Sequence, residues 1–320
     1  MGIIEIGKNV IIKEIEVLQR IHACLDDTFE RIVECIVSCE GKVILTGMGK
    51  SGHVARKISA TMSSLGIPSF FMHPGEAMHG DLGMVQKQDF VIAISYSGES
   101  DEIVKILPNI KIKGALLAGI TCNSTSTLSK SCEIIQIFPT MKEACHLGLA
   151  PTCSTTAVLA YGDALAVAAS HKIGFTKKDF GLNHPAGSLG KKLIIKVRDL
   201  MTNFSSHEYL SENMTIQQSL LTMCKDKKNI LPVMDGSKNY KGIVTFEALE
   251  NKLNSNCSGN ELIKSLDVKK PVNFVLKEDM AIDALQVLKS NNLSEIVVTL
   301  EDLPVGIISA KEIEKIGIYL

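Results

Sequence analysis

The chain has 320 residues, 34 Lys and Arg against 35 Asp and Glu, a formal net charge of −1 and 45% hydrophobic residues. That length favours roughly two domains of a globular protein with a sizeable core. The balanced charge excludes the basic excess that a nucleic-acid or anionic-membrane surface requires.

The first stretch, "MGIIEIGKNVIIKEIEV", mixes acidic with apolar residues and has no small-residue cleavage site. It is not a signal peptide, and Ile6 breaks the myristoylation pattern. Across residues 9–40, Ile11, Ile15, Leu18, Ile21, Leu25, Phe29, Ile32 and Ile36 recur at helical spacing, which predicts one or two lead-in helices. Short continuous apolar runs follow: "KVILT" (42–46), "SFFMH" (69–73), "DFVIAIS" (89–95), "GALLAGIT" (114–121) and "CEIIQIF" (132–138). Runs that do not alternate predict strands buried on both faces, in a parallel sheet between helices. "ARKISATMSSLG" (55–66) supplies the first crossover helix, ended by Gly66 and Pro68, and "TTAVLAYGDALAVAASHKIG" (155–174) a long apolar one. Asp163 interrupts the latter, and no run reaches the ~18 uncharged apolar residues of a membrane span. The expectation is an α/β domain over residues 1–195, in three layers and in the cytoplasm.

The remainder is duplicated. "MTIQQSLLTMCKDKKNILPVMDGSKNYKGIVTFEALEN" (214–251) resembles "MAIDALQVLKSNNLSEIVVTLEDLPVGIISAKEIEK" (280–315). Each predicts a helix, a strand, a polar turn, a second strand beginning at Gly242 or Gly306, and another helix. The offset of about 65 residues suits a duplicated small domain better than a solenoid. The repeats are placed at 196–256 and 263–320, and their order of elements resembles a cystathionine-β-synthase (CBS) pair, an α+β module. The nine cysteines are odd in number and lack C-x-x-C pairs. Cys35 and Cys39 stand four apart without further ligands at zinc spacing, so all are read as free thiols.

The stretch "GMGKSG" (47–52) follows the first strand. Its glycines permit a tight turn and close approach to an anion held by the next helix's N–H groups. An ATP loop would need glycine at position 44, where Ile44 stands. A dinucleotide site would need an acid closing the second strand, and only Glu76, beyond a Pro-Gly turn, is near. In "SYSGESDE" (95–102), Ser95, Ser97 and Ser100 surround Gly98 at a strand-to-helix turn. Clustered hydroxyls and amides there suit a phosphate monoester; the plainer alternative is N-capping, which needs one hydroxyl rather than three. "APTCSTTA" (150–157) is a third hydroxyl-rich loop, which capping alone would also explain.

Taken together, "GMGKSGHVARKISATMSSLGIPSFFMHPGEAMHGDLGMV", "AISYSGESDEI", "EACHLGLAPTCSTTAVLAYGDALA" and "GFTKKDFGLNHPAGSLGKKL" resemble a sugar isomerase (SIS) domain. More narrowly, they resemble the arabinose-5-phosphate isomerases, in which a CBS pair follows the SIS domain. The resemblance implies aldose–ketose isomerisation of a sugar phosphate through a cis-enediolate, which needs a base and a cation or donors for the developing oxyanion. It places the catalytic set on Lys50, Glu102, Glu143 and His184. Lys50 would supply positive charge, Glu143 the proton-shuttling base, Glu102 a share of that work, and His184 ring opening or orientation. Substrate contacts are implied at Gly49, Ser51, Gly66, Ile67, His79, Ser95, Ser97, Gly98 and Ser100.

His184 reaches a neighbouring subunit's site in relatives, implying a homo-oligomer, a tetramer. His73 resembles a position that takes zinc in relatives as an inhibitor; the reaction itself requires no cofactor. Two positions depart from the family: Tyr96 stands where a small amide is usual, and His146 where proline is. In the CBS half, Ala248 and Glu312 replace the Asp that holds ribose hydroxyls, which argues against nucleotide sensing. The rival reading from another class is a sugar-phosphate-binding regulator of the same fold, which has no need of Glu102, Glu143 and His184 together.

Overall fold

The computed structural model describes residues 2–185, 187–255 and 258–320; Ala186 of the "NHPAG" motif and Asn256, the expected end of the first repeat, lie outside the described residues. By its internal contacts the chain divides into two units, residues 1–183 and 184–320.

The first unit opens with helices α1 (Ile3–His22) and α2 (Asp27–Val37). Then come β1 (Val43–Gly47), α3 (Gly49–Ser64), β2 (Ser69–Met72), α4 (Pro74–Ala77), β3 (Phe90–Ile94), α5 (Asp101–Lys113), β4 (Leu116–Thr121), α6 (Thr127–Ser131) and β5 (Ile134–Ile137). Helices α7 (Cys153–Lys172) and α8 (Lys177–Asn183) close it. All five expected strands form, in one parallel sheet of order β2-β1-β3-β4-β5. Their lack of alternation has the expected cause, since both faces are covered. Val43, Leu45, Phe90, Ile92 and Ile94 point into one core with α1, α2, α3 and α7, while Ile44, Val91 and Ala93 point into the other with α4, α5 and α6. The helices after β1 and β3, neighbours in the sheet, thus lie on opposite faces. Their loops part at the strands' C-terminal ends, which is where open α/β sheets form a crevice.

The second unit comprises α9 (Ser188–Ile194), β6 (Thr202–Asn203), β7 (Leu210–Ser211), α10 (Ile216–Asp226), β8 (Ile230–Met234), β9 (Tyr240–Thr245) and α11 (Phe246–Asn254). It continues with β10 (Phe274–Leu276), α12 (Ala281–Ser290), β11 (Glu295–Leu300), β12 (Leu303–Ser309) and α13 (Ala310–Lys315). The duplication read from the sequence is present in three dimensions. In β7-β8-β9 and β10-β11-β12 alike, the first strand pairs parallel and the third antiparallel with the middle one, with the same register shift at Val233/Met234 and Val298/Thr299.

The boundaries differ from those expected at 195, 256 and 263, because the lead-in segments are exchanged. Ile195, Val197, Leu200 and Met201 pack into the core of the second repeat, and β6 pairs with β12. Conversely, Ile263, Leu266 and Val268 pack into the first repeat, and Lys269 bridges to Ile243 of β9. The Lys191 ammonium donates to the Ile316 carbonyl at 2.9 Å, which draws α9 into the second unit as well. A nearly buried ion pair, Lys228–Glu208 at 2.6 Å with side chains 9% and 4% exposed, braces this half, and the lysine also donates to the Asn203 carbonyl.

The exchange explains the glycine that opens each repeat's second strand. A Cβ at Gly242 would stand 2.4 Å from the Lys269 carbonyl oxygen, and one at Gly306 would stand 2.3 Å from that of Thr202. Either backbone approach is possible only without a side chain. Gly306→Val and Gly242→Val should each lower the unfolding free energy of the second unit by about 1–3 kcal/mol or more. Gly236→Ala, where nothing lies within 4 Å, should leave it nearly unchanged. Urea unfolding followed by a probe in this unit checks the pair against the control, and equal stability of all three would refute the exchanged packing.

Candidate active site

The site grows from the two parted loops. In GMGKSG the chain leaves β1 and enters α3 at once: Gly49 has φ +58°, and a Cβ on Gly52 would meet the Gly47 carbonyl oxygen at 2.4 Å. The glycine spacing therefore serves this turn. Ser51 is half-buried and lines a cavity of about 1170 Å³ together with Tyr96, Glu143 and Ser154. Gly49 lines a separate cleft of about 150 Å³ with His53, Arg56 and His73. Lys50, exposed in the first turn of α3, lies between these two residues in sequence.

The loop after β3 is held by its own hydroxyls. Ser95, 2% exposed, shares a 2.9 Å hydrogen bond with Ser100, and its oxygen accepts the Gly98 N–H. The Ser97 hydroxyl accepts the Glu99 N–H. Gly98 has φ +68° and packs so closely on Ser126 that a Cβ would meet that hydroxyl. Ser100 occupies the N-cap of α5 but its side chain does not cap the helix. The capping explanation for this serine cluster thus fails at the residue that would carry it. Glu102 is half-buried in the first turn of α5.

Glu143 lies on the irregular segment between β5 and α7. Its Oε2 accepts from the Thr152 N–H at 2.7 Å, the Thr152 hydroxyl at 3.0 Å and the Ser154 N–H at 3.4 Å. The carboxylate therefore sits on the open amides at the N-terminus of α7, where the helix dipole also favours negative charge. Burial pushes the Glu143 carboxyl up, but the bonds from Ser154 and Thr152 together outweigh it and hold it below the ordinary carboxylate value. The hydroxyl-rich "APTCSTTA" loop, readable from sequence as a cap, is what orients this glutamate. From α1, Lys13, Glu16 and Arg20 also line the cavity, and Arg20 donates to the Thr140 carbonyl at 3.0 Å. Nothing in the sequence pointed to them, because they stand more than a hundred residues from the loop they meet.

Not every expected residue gathers here. Gly66 and Ile67 follow the C-terminal end of α3, a 16-residue helix about 24 Å long whose first turn carries the end of GMGKSG. Gly66, at φ +85°, lies against the Phe175 ring, and Ile67 is buried in the core. Within one chain they serve packing, not this cavity. His184 belongs to the second unit. Lys50, Glu102 and the exposed His79 do not themselves line either cavity. The Nδ1 of His73 accepts the Gly75 N–H at 3.2 Å, capping α4, and no group of three or more His, Cys, Asp or Glu among the described residues is placed to hold a metal ion. The eight described cysteines are unpaired, and burial pushes Cys122 up to about 11 and Cys132 up to about 12. Among the described residues no helix is long and apolar enough to cross a membrane.

Comparison with known proteins gives this arrangement its relatives. Residues 36–168 match the SIS domain family. The chain is 38% identical over 317 residues to the arabinose 5-phosphate isomerase KdsD of Yersinia pestis, covering 98% of this chain and 95% of that protein. It is 37% identical over 313 residues to the protein of the same name in Escherichia coli K12, with the same coverage. Among solved structures, an E. coli CFT073 protein in complex with arabinose 5-phosphate aligns with a TM-score of 0.56 and 45% identity, over 58% of this chain and all of that one. At that similarity over nearly its whole length, the chain belongs to the arabinose 5-phosphate isomerase family, built on an SIS domain.

Proposed function

We propose that the protein interconverts D-ribulose 5-phosphate and D-arabinose 5-phosphate through a cis-enediolate, supplying 3-deoxy-D-manno-octulosonate (Kdo) and hence lipopolysaccharide synthesis in the cytoplasm. One observation carries the reading: a carboxylate, Glu143, is held in orientation on the edge of the same cavity that receives Ser51 and Tyr96 from the two parted loops. A regulator that only bound a sugar phosphate would need the loops but not the oriented carboxylate.

In this reading the Ser95–Ser100 loop and the α5 N-terminus take the phosphate. Glu143 removes the C2 proton of the aldose and returns it at C1, and Lys50 stabilises the oxyanion between. A substrate that displaces water from the cavity raises the glutamate's pKa toward the range useful for a base at neutral pH. Glu102 and the ring-orienting His184 complete the set, the latter from a second copy in a homo-oligomer. Support for such assembly comes from α1, where Ile3, Ile4, Ile6, Ile11, Ile12 and Ile15 are all about half exposed or more.

No metal is required by this route. Zinc would act as an inhibitor at His73 only by breaking the Gly75 contact: with Nδ1 accepting that N–H, the neutral ring carries its proton on Nε2, and coordination there requires the other tautomer.

The second unit, read as a CBS pair, serves assembly rather than nucleotide sensing. Ala248 lines its cleft of about 400 Å³ without a hydrogen-bonding side chain. In the other repeat Glu312 is already spent on Ser309 and Thr202.

Proton NMR of the purified protein with D-ribulose 5-phosphate in D₂O and EDTA should show arabinose 5-phosphate carrying deuterium at C2. Sugar-phosphate binding with no product would leave a regulator instead. Glu143→Gln should lower kcat by about 10²–10⁴-fold while substrate still binds. Because the folded carboxyl is held below its ordinary 4.5, the acid limb of kcat/KM due to this group should fall below that pH, and its contribution to stability should be lost only as pH drops further. Lys50→Ala should cost about 100-fold or more in kcat; a loss confined to KM would make it a phosphate anchor.

A further inference from the structure

Tyr96 joins the two halves of the site. Its carbonyl accepts from the Cys122 N–H at 3.0 Å and from the Thr121 hydroxyl at 3.0 Å, which bolts the start of the serine loop to the end of β4. Its ring then crosses to the other loop. The phenol donates to the Met141 carbonyl at 3.0 Å and accepts the Met141 N–H at 3.3 Å. Met141 stands two residues before Glu143, in a segment without regular structure between β5 and α7. At its far end this segment is fixed by Thr152, whose hydroxyl accepts the Ala144 N–H at 2.8 Å while also donating to Glu143. At its near end the Phe138 N–H donates to the Thr121 carbonyl at 2.8 Å, the Cys122 thiol to the Pro139 carbonyl at 3.8 Å, and the exposed Arg20 to the Thr140 carbonyl; Tyr96 holds Met141, the tie nearest to Glu143. Of these, only the tyrosine comes from the loop that holds the serines.

We infer that Tyr96 is a positioning residue that sets Glu143 for proton transfer and links that setting to the anion loop. This rests on the assignment of Glu143 as the base. The ring is 41% exposed, and Met141 is only half-buried, so either backbone group can turn to water if the phenol is lost. Losing the bonds therefore costs little stability, because no buried polar group is stranded. What it releases is the geometry of the segment ahead of Glu143, and a displacement of about 1 Å at a reacting group costs on the order of 100-fold in rate. Burial, then the Cys122 thiol and the Glu143 charge, raises the phenol's pKa against the lowering effect of its bond to Met141, so the hydroxyl is neutral. Phosphate bound at Ser95 and Ser100 would stiffen the segment that carries Tyr96, and through it the base.

The test is a double-mutant cycle of Tyr96→Phe and Glu143→Gln, assayed with D-arabinose 5-phosphate. Tyr96→Phe keeps the ring and removes only the hydroxyl. It should lower kcat by about 10–100-fold with KM within about threefold and an unchanged thermal midpoint, and should enlarge the primary isotope effect with C2-deuterated substrate. In the Glu143→Gln background the same change should have almost no further effect. A wild-type kcat in Tyr96→Phe overturns the inference while leaving the base assignment standing, provided Glu143→Gln is slow. A raised KM at constant kcat would make Tyr96 a substrate contact, and a full additive effect in the double variant would separate it from Glu143; either result overturns it. Near-normal turnover by Glu143→Gln would overturn the base assignment and this inference together.

Discussion

The site depends on one topological constraint: β1 and β3 are adjacent and parallel, yet the chain leaves them toward opposite faces of the sheet. Both strands run as unbroken apolar segments, so each is buried by helices on two sides. Once α3 covers one face and α5 the other, the loops after β1 and β3 must part. The two helix N-termini then open beside one another, and neither N-cap side chain, Met48 or Ser100, bonds to its helix. Neither loop makes a site alone. GMGKSG is shaped by the Gly47–Gly52 approach, and the serine loop by the Ser95–Ser100 pair and the packing of Gly98 on Ser126.

A third element supplies the oriented carboxylate of the cavity. Helix α7 is apolar on most of its surface and inserts against α1, α2 and α3, with Tyr161 buried and donating to Gln136 at 2.7 Å. That packing fixes where its N-terminus points. Glu143 satisfies amides at this N-terminus, so the carboxylate on the edge of the cavity is also a capping interaction of the main core helix. The arrangement has a chemical cost. The bonds that hold the carboxylate still also stabilise its charged form, which makes it a weaker base than an ordinary carboxylate.

The second unit follows a different logic. Each repeat's core is completed by the lead-in segment of the other. The exchange ties two weakly similar sequences into one folding unit. It also explains why boundaries drawn from internal similarity miss those drawn from packing. Similarity marks the repeated helices and strands, whereas the residues from 195 to 203 and from 263 to 269 belong by apolar packing and strand pairing to the partner repeat.

By itself the sequence determined the local elements: five buried strands, the long α7, the glycine turn of GMGKSG, the serine cluster and the duplication. Apart from the duplication, which is a similarity at an offset of about 65 residues, each is written in a periodicity or a turn chemistry that operates within a few helical or strand turns. Tertiary structure alone decided that Thr152 and Ser154 hold Glu143, that Arg20 and Tyr96 tether its loop, and that within one chain Gly66 and Ile67 lie at the opposite end of α3 from GMGKSG. The reason is physical. Burial repeats along the chain and leaves a pattern, but a hydrogen bond between residues 45 or 120 apart requires only one suitable side chain at each end. A tyrosine at position 96 or an arginine at 20 satisfies its own helix or loop equally well with or without that bond, so nothing local records it.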